Sequence, residues 1–406
     1  MIIAPCTVVT GGPEPQVHDD VGVRIVGSHI AQIASSGSLA RAYRKETLWP
    51  ARGRVLMPGF VNTHAHLARH LARGLGLRSL GAWDRYERAL SPEDIRWAVS
   101  AALVEGVRHG VTTVCDLHRS SGCVELSLSE IVAAASQVGV RVATGYTASE
   151  HDSPRERKAA LEECRAFAAE LRRKRSGRLK ASVGVQATTL GGVETLVAEA
   201  FEAAGDQVPV HVDLALDLTP AERWNARGPW RGESLPALWA HVESAPRGLL
   251  GAARERGDAL SAVGAGSVAA LVREAEVAWG SDSSVNAPPL PDGAHALGMG
   301  VRSQMHYRRM FVNGASWAAA HFGEDLGQIT PGAPADLVLV DYRPATEFST
   351  KTLLDHLWTG LLRAPISGVM VSGEVVMDNG VVLSVDEREV AENARAAARR
   401  VWEKLG

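Results

Sequence analysis

From about residue 54 to residue 329 the chain alternates apolar, strand-like runs with helical stretches. This alternation limits the fold more than any other feature of its 406 residues. Eight runs read as strands: 55–61, 111–117, 140–147, 179–186, 208–214, 235–241, 259–264 and 276–281. Helical stretches between them include 91–108, 126–137, 154–173, 193–204 and 247–256. A helix after each strand returns the chain to the same end of the sheet, so successive strands run parallel. Eight such units close into a barrel. The expected fold class is therefore α/β, a (β/α)8 TIM-type barrel.

The two ends of the chain have a different character. Residues 1–9, 21–26 and 30–34 are short β-like runs separated by Gly and Ser, and the pattern returns at 335–340, 366–371 and 374–377 before the turn Asp378-Asn379-Gly380. Short strands punctuated by turn residues predict a small antiparallel unit. The expected organisation is a composite β-sandwich from 1–54 and 331–385, a barrel over 55–330, and a C-terminal helix over 386–406 packed on the small domain.

Composition narrows the partners. The net charge of −3 gives no basic face for nucleic acid. No run reaches the ~18 apolar residues of a membrane span, and the first residues lack the charged start and apolar stretch of a signal peptide. Four cysteines without a CxxC pair fit a reducing cytoplasm, and no spacing among them suggests a zinc–cysteine site. These features predict a cytoplasmic protein with a small-molecule substrate, and leave a homo-oligomer open.

The chemistry concentrates at strand ends. The stretch Met57-Pro58-Gly59-Phe60-Val61-Asn62-Thr63-His64-Ala65-His66 closes the first barrel strand. Side chains two apart on a strand share a face, so His64 and His66 can hold one divalent ion at the barrel mouth. His211 ends the fifth strand and Asp282 the eighth, where a barrel presents its working residues. Three imidazoles and one carboxylate suit one Zn²⁺ or Fe²⁺. Such an ion would acidify a water, whose proton Asp282 could accept. His241 closes the sixth strand and reads as a group that polarises or holds the substrate. His118, after the second strand, is a further substrate-binding candidate.

These residues resemble the amidohydrolase superfamily, within it the branch of cytosine, guanine and triazine deaminases and hydrolases. The stretches 86–94, 110–118, 326–342 and 355–361 are most similar to the SsnA-type aminohydrolases. The resemblance implies a mononuclear metal barrel with a composite β-sandwich, acting on non-peptide C–N bonds, often of nitrogen heterocycles.

Three departures bear on the chemistry. Relatives carry His-x-x-Glu after the fifth strand, the Glu shuttling a proton; here that position is Leu214. Asp213, on the same face as His211 by strand alternation, is the candidate displaced acid. The seventh strand ends in Ala262-Val263-Gly264-Ala265-Gly266-Ser267 in place of the family's His-Asn-Pro-x-x-Asn, and residues 217–277 are shorter than in relatives. A two-metal site would need a lysine at the end of the fourth strand, but Lys180 starts that strand and Gln186-Ala187-Thr188-Thr189 ends it. The sequence thus predicts a mononuclear hydrolase. The alternatives are a hydrolase of a non-amino leaving group and a catalytically degraded binding protein of the same fold.

Overall fold

The computed structural model describes residues 1–216, 228–230, 234–263, 277–283, 286, 288 and 301–406. They divide into two compact units: residues 1–61, 105–113 and 287–384, and residues 62–104, 114–286 and 385–406.

In the first unit the chain opens with β1 (Ile2–Val9), β2 (Val17–Val26), β3 (His29–Ser35), β4 (Leu48–Pro50) and β5 (Val55–Pro58). Among the described residues nine barrel strands follow, and the chain returns to the first sheet with β15 (Leu337–Val340), β16 (Ile366–Val371), β17 (Glu374–Asp378) and β18 (Val381–Val382). The sheet order is β18-β17-β16-β15-β5-β1-β2-β3, with β4 on β1. Both ends of the chain therefore build one sheet, which curls back on itself. Ile30 N–H donates to the Ala333 carbonyl at 2.8 Å, and Gly332 N–H to the Ile30 carbonyl at 2.8 Å. The enclosed core includes Ile3, Val8, Val23, Ile25, Trp49, Leu56, Leu337 and Met370.

The barrel strands are β6 (Phe60–Ala65), β7 (Val111–His118), β8 (Arg141–Ser149), β9 (Leu179–Ala181), β10 (Val183–Ala187), β11 (Val210–Leu214), β12 (Leu238–Ala240), β13 (Ala259–Val263) and β14 (Val277–Gly280). Their order is β14-β13-β12-β11-β10-β8-β7-β6, with β9 on β8. The pairs from β8 through β10 to β14 are parallel. The first and last strands meet through a parallel bridge between Ala65 and Asp282. Thr63 strengthens this closure by donating from Oγ1 to the Trp279 carbonyl at 2.6 Å. The α/β barrel read from the alternation is thus the observed one.

Two strands differ from expectation. The run 55–61 is not one strand: β5 belongs to the curled sheet, pairing with β1 and β15, and β6 starts after Gly59. A Cβ on Gly59 would lie 2.2 Å from Thr112 Oγ1, so only glycine allows this close approach. The fourth strand is also broken, into β9 and β10. The ends at Gly264 and Glu276, and the 264–267 stretch, lie outside the described residues.

The helix Glu387–Leu405 corrects another expectation, because it packs within the barrel unit and not on the small sheet. Arg400 donates to the buried Asp94 carboxylate from Nε at 3.1 Å and Nη2 at 2.7 Å. Trp402 Nε1 donates to the Leu71 carbonyl at 2.8 Å. None of the described helices is long and apolar enough to cross a membrane.

Candidate metal centre

The C-terminal ends of β6, β11, β12 and β14 bring His64, His66, His211, Asp213, His241 and Asp282 together in the second unit. The local sequence of β6 organises the cluster. Asn62 donates from Nδ2 to Ser281 Oγ and Asn286 Oδ1, both at 2.8 Å, and its Oδ1 accepts Ser281 N–H at 3.1 Å. One buried side chain therefore ties the first strand to the turn after the last. Asp282 N–H donates to the His64 carbonyl at 3.0 Å, and His66 N–H to the Asp282 carbonyl at 3.0 Å. This pairing sets Asp282 beside the two histidines. Asp282 itself has φ of 53° and His241 has φ of 56°, both in the left-handed region that non-glycine residues rarely occupy. Such strain collects where side chains must be aimed.

The ring of His66 is oriented by the backbone. Its Nδ1 lies 2.8 Å from the Leu117 carbonyl. A carbonyl only accepts, so Nδ1 carries a proton and Nε2 is the ring atom left to face the cluster. Asp116 holds the turn that follows, accepting Leu67 N–H and Thr144 Oγ1–H, both at 2.8 Å. The Nε2 atoms of His64 and His66 are buried and have no hydrogen-bond partner. Burial and the neighbouring histidines hold the His64 imidazole well below the usual histidine range, hence neutral.

His211 and Asp213 share one face of β11, as alternation requires. His211 Nε2 lies 3.0 Å from His64 Nδ1. Asp213 Oδ2 accepts from Gln186 Nε2 at 2.8 Å and stands 3.6 Å from His66 Nε2. Leu214, fully packed at 1% exposure, occupies the opposite face of the strand. Gln186 is the register partner of Asp213 on β10. His241 lies 3.8 Å through Nε2 from both Asp213 Oδ1 and Asp282 Oδ1, and 3.2 Å through Nδ1 from Glu243 Oε1. Burial opposes its protonation, but the nearby Asp282 carboxylate, the hydrogen bond to Glu243 and the charge of Asp213 push its pKa up to about 11. Burial likewise disfavours the Asp282 carboxylate, yet His241, His66 and Arg69 hold it well below the usual range.

Among the described residues two sets of donor atoms converge, each within 4.8 Å: His64, His66 and Asp213, and His64, His241 and Asp282. Buried imidazole lone pairs facing carboxylates are the donor chemistry of a divalent metal. His211, expected as a ligand, belongs to neither set, its Nε2 facing His64 Nδ1 at 3.0 Å. His118 also stands outside both. Its Nε2 is 2.8 Å from Ser120 Oγ, whose own proton goes to the Cys123 carbonyl at 2.9 Å. The hydroxyl must then accept, so His118 is the Nε2–H tautomer.

Sequence reasoning missed Asn62, Gln186, Glu243 and Arg69. Arg69 pairs with Glu87 at 2.7 Å and approaches Asp282 to 3.8 Å. Asn62 lies inside the motif already singled out, and Gln186 at a strand end already read. Glu87 lies in the 86–94 stretch already read, but Arg69 gives no such signal, because only the packing of the segments after β6 joins the two.

The fold is an α/β barrel whose strand ends gather imidazoles and carboxylates suited to a divalent metal. Residues 55–225 match the model of the amidohydrolase family. The chain is 26% identical to a 5-methylthioadenosine/S-adenosylhomocysteine deaminase of Pelotomaculum thermopropionicum, over 99% of this chain and 98% of that protein. It is 25% identical to a 5'-deoxyadenosine deaminase of Methanosarcina barkeri, over 88% of each. Among solved structures, an adenosine deaminase from Xanthomonas campestris with bound zinc superposes with a TM-score of 0.75 at 21% identity, covering 99% of this chain and 98% of that one. An atrazine chlorohydrolase from Arthrobacter aurescens in complex with zinc gives 0.73 at 18%, covering 98% and 99%.

Proposed function

We propose that this protein is a metal-dependent hydrolase of a non-peptide C–N bond in a small nitrogen heterocycle. The observation that carries the reading is the pair of buried, unpartnered Nε2 atoms of His64 and His66 converging on carboxylate oxygens. A buried polar group left without a partner costs about 1–3 kcal/mol, and a bound cation removes that cost. His64, His66, His211 and Asp282 would hold one Zn²⁺ or Fe²⁺, which supplies Lewis-acid activation of water. Asp282 accepts the proton of the attacking water. His241, kept cationic by Asp282 and Glu243, donates a hydrogen bond to the substrate atom where negative charge develops. The names of the full-length relatives favour an amino-substituted purine nucleoside as substrate.

Leu214 supports a second reading, hydrolysis of a non-amino leaving group. With no carboxylic acid at that position, a group that leaves without protonation is favoured over ammonia. Paired rates on amino- and chloro-substituted rings separate the two. We further propose a cytoplasmic setting, supported by a sequence with four cysteines in 406 residues and no CxxC pair among them. The Arg-rich helical surfaces leave room for a homo-oligomer.

Elemental analysis of the purified protein tests the metal, and 5'-methylthioadenosine, S-adenosylhomocysteine, guanine, cytosine and triazines form the substrate panel. One equivalent of Zn or Fe, lost on changing His64 and His66 to Ala, is expected. Asp282→Asn should retain the fold, since Asn tolerates left-handed φ, and should lower turnover by about 10²–10⁴-fold. A protein that takes up no metal and turns over none of the panel would sink the proposal in favour of a binding role.

A further inference from the structure

Asp213 stands outside the quartet proposed to hold the metal, yet its side chain is only 3% exposed against 30% for Asp282. We infer that Asp213 is a further ligand of that metal, its carboxylate converging with His64 and His66 from β11 while Gln186 fixes its orientation from β10. This inference rests on the metal reading above. Three observations carry it. A carboxylate oxygen of Asp213 and ring nitrogens of His64 and His66 lie within 4.8 Å of one another, the span of a shared ion. Asp213 Oδ1 is buried and has no hydrogen-bond partner, as are the Nε2 atoms of both histidines. The other oxygen, Oδ2, accepts from Gln186 Nε2 at 2.8 Å, the outer hydrogen bond by which a ligating carboxylate is typically oriented.

Charge accounting points the same way. A buried carboxylate is costly unless its charge is compensated. The ion-pair neighbours of Asp213 are His66 and His241. His66 spends its Nδ1 proton on the Leu117 carbonyl and, as a ligand, stays neutral. With His241 paired to Glu243 at 3.2 Å, a divalent ion at the His66 Nε2 would bring two positive charges, which Asp213 and Asp282 together balance. Held this way, Asp213 stays ionised and is not the displaced proton carrier expected from the sequence.

The test uses the full-length protein loaded with Co²⁺, whose visible absorption reports coordination number. The wild-type complex should show the weak bands of a site with more than four ligands. Asp213→Asn should intensify them toward the tetrahedral pattern and weaken Co²⁺ binding by about 10–100-fold or more in competition with a chelating dye. Should Asp213→Asn fail to fold by circular dichroism, Gln186→Leu, which leaves the carboxylate in place but unoriented, should shift the spectrum in the same direction. A variant that folds with the wild-type spectrum and affinity overturns the inference and leaves the metal reading standing. A wild-type protein that binds no Co²⁺ overturns both.

Discussion

His118 shows how a single side chain can titrate silently until the fold is stressed. It is 1% exposed, and burial, aided by the charges of His66 and Arg69, pulls its pKa down to about 3. In the unfolded chain a histidine titrates near 6.5. Between those values the unfolded state binds a proton that the folded state refuses, so stability falls as pH falls through 6.5 toward 3. Above pH 6.5 both states are neutral and the effect vanishes. For the metal-free protein we expect urea midpoints of wild type and His118→Gln to diverge on going from pH 7 to pH 5. Wild type should lose up to about 1.4 kcal/mol per pH unit more than the variant. Parallel pH curves would show that this ring is not held neutral. At the same scale Asp282 and His241 share left-handed φ, so Asn is the replacement at either position that tests chemistry with least disturbance of the backbone.

Among the elements, the helix Glu387–Leu405 is held by a few directional contacts. Asp94 is the hub: its Oδ2 accepts Ser91 N–H at 3.1 Å and Ser91 Oγ–H at 2.7 Å at the start of the helix Pro92–Arg108, while its Oδ1 takes both donors of Arg400. One buried carboxylate therefore starts one helix and docks another. Replacing Arg400 by Met keeps the length of the side chain but strips a buried oxygen of its donors, at a cost of about 1–3 kcal/mol. The urea midpoint should drop accordingly, and amide exchange should quicken first along 387–405. Exchange unchanged in that helix would show that Trp402 and its apolar face suffice. That face, Val390, Ala394, Ala397 and Val401, is buried, and its spacing is visible in the sequence. The partner of the face is not, since an amphipathic helix carries no statement of what it covers.

For the whole molecule, the barrel closes where the candidate metal donors sit: the Ala65–Asp282 bridge and the Asn62 contacts join the first and last strands at the same end as His64 and His66. Metal binding should then be coupled to the stability of the closure. At free metal about a hundredfold above its dissociation constant, binding to the folded state alone adds about 2.7 kcal/mol. Chelation should lower the thermal midpoint, with exchange protection lost in β6, β11 and 277–283 before β1, β2 and β16 of the curled sheet. A thermal midpoint indifferent to chelator would separate the site from the closure.

The alternation of strand and helix, the β character of both chain ends and the His64-x-His66 motif were legible without coordinates, because periodicity and strand-end position are local properties. Local pattern also indicated that His211 and Asp213 share a face. What it did not contain is distance between segments far apart in sequence. Only the folded chain decides that β5 leaves the barrel at Gly59, where the close approach of Thr112 excludes any side chain, and that the last helix packs in the barrel unit. Likewise only the register of β10 against β11 places Gln186 on Asp213, and so singles out the carboxylate that faces the two histidines. Hydrogen bonds and charge pairs act over a few ångströms, and the tertiary structure alone brings those groups within reach.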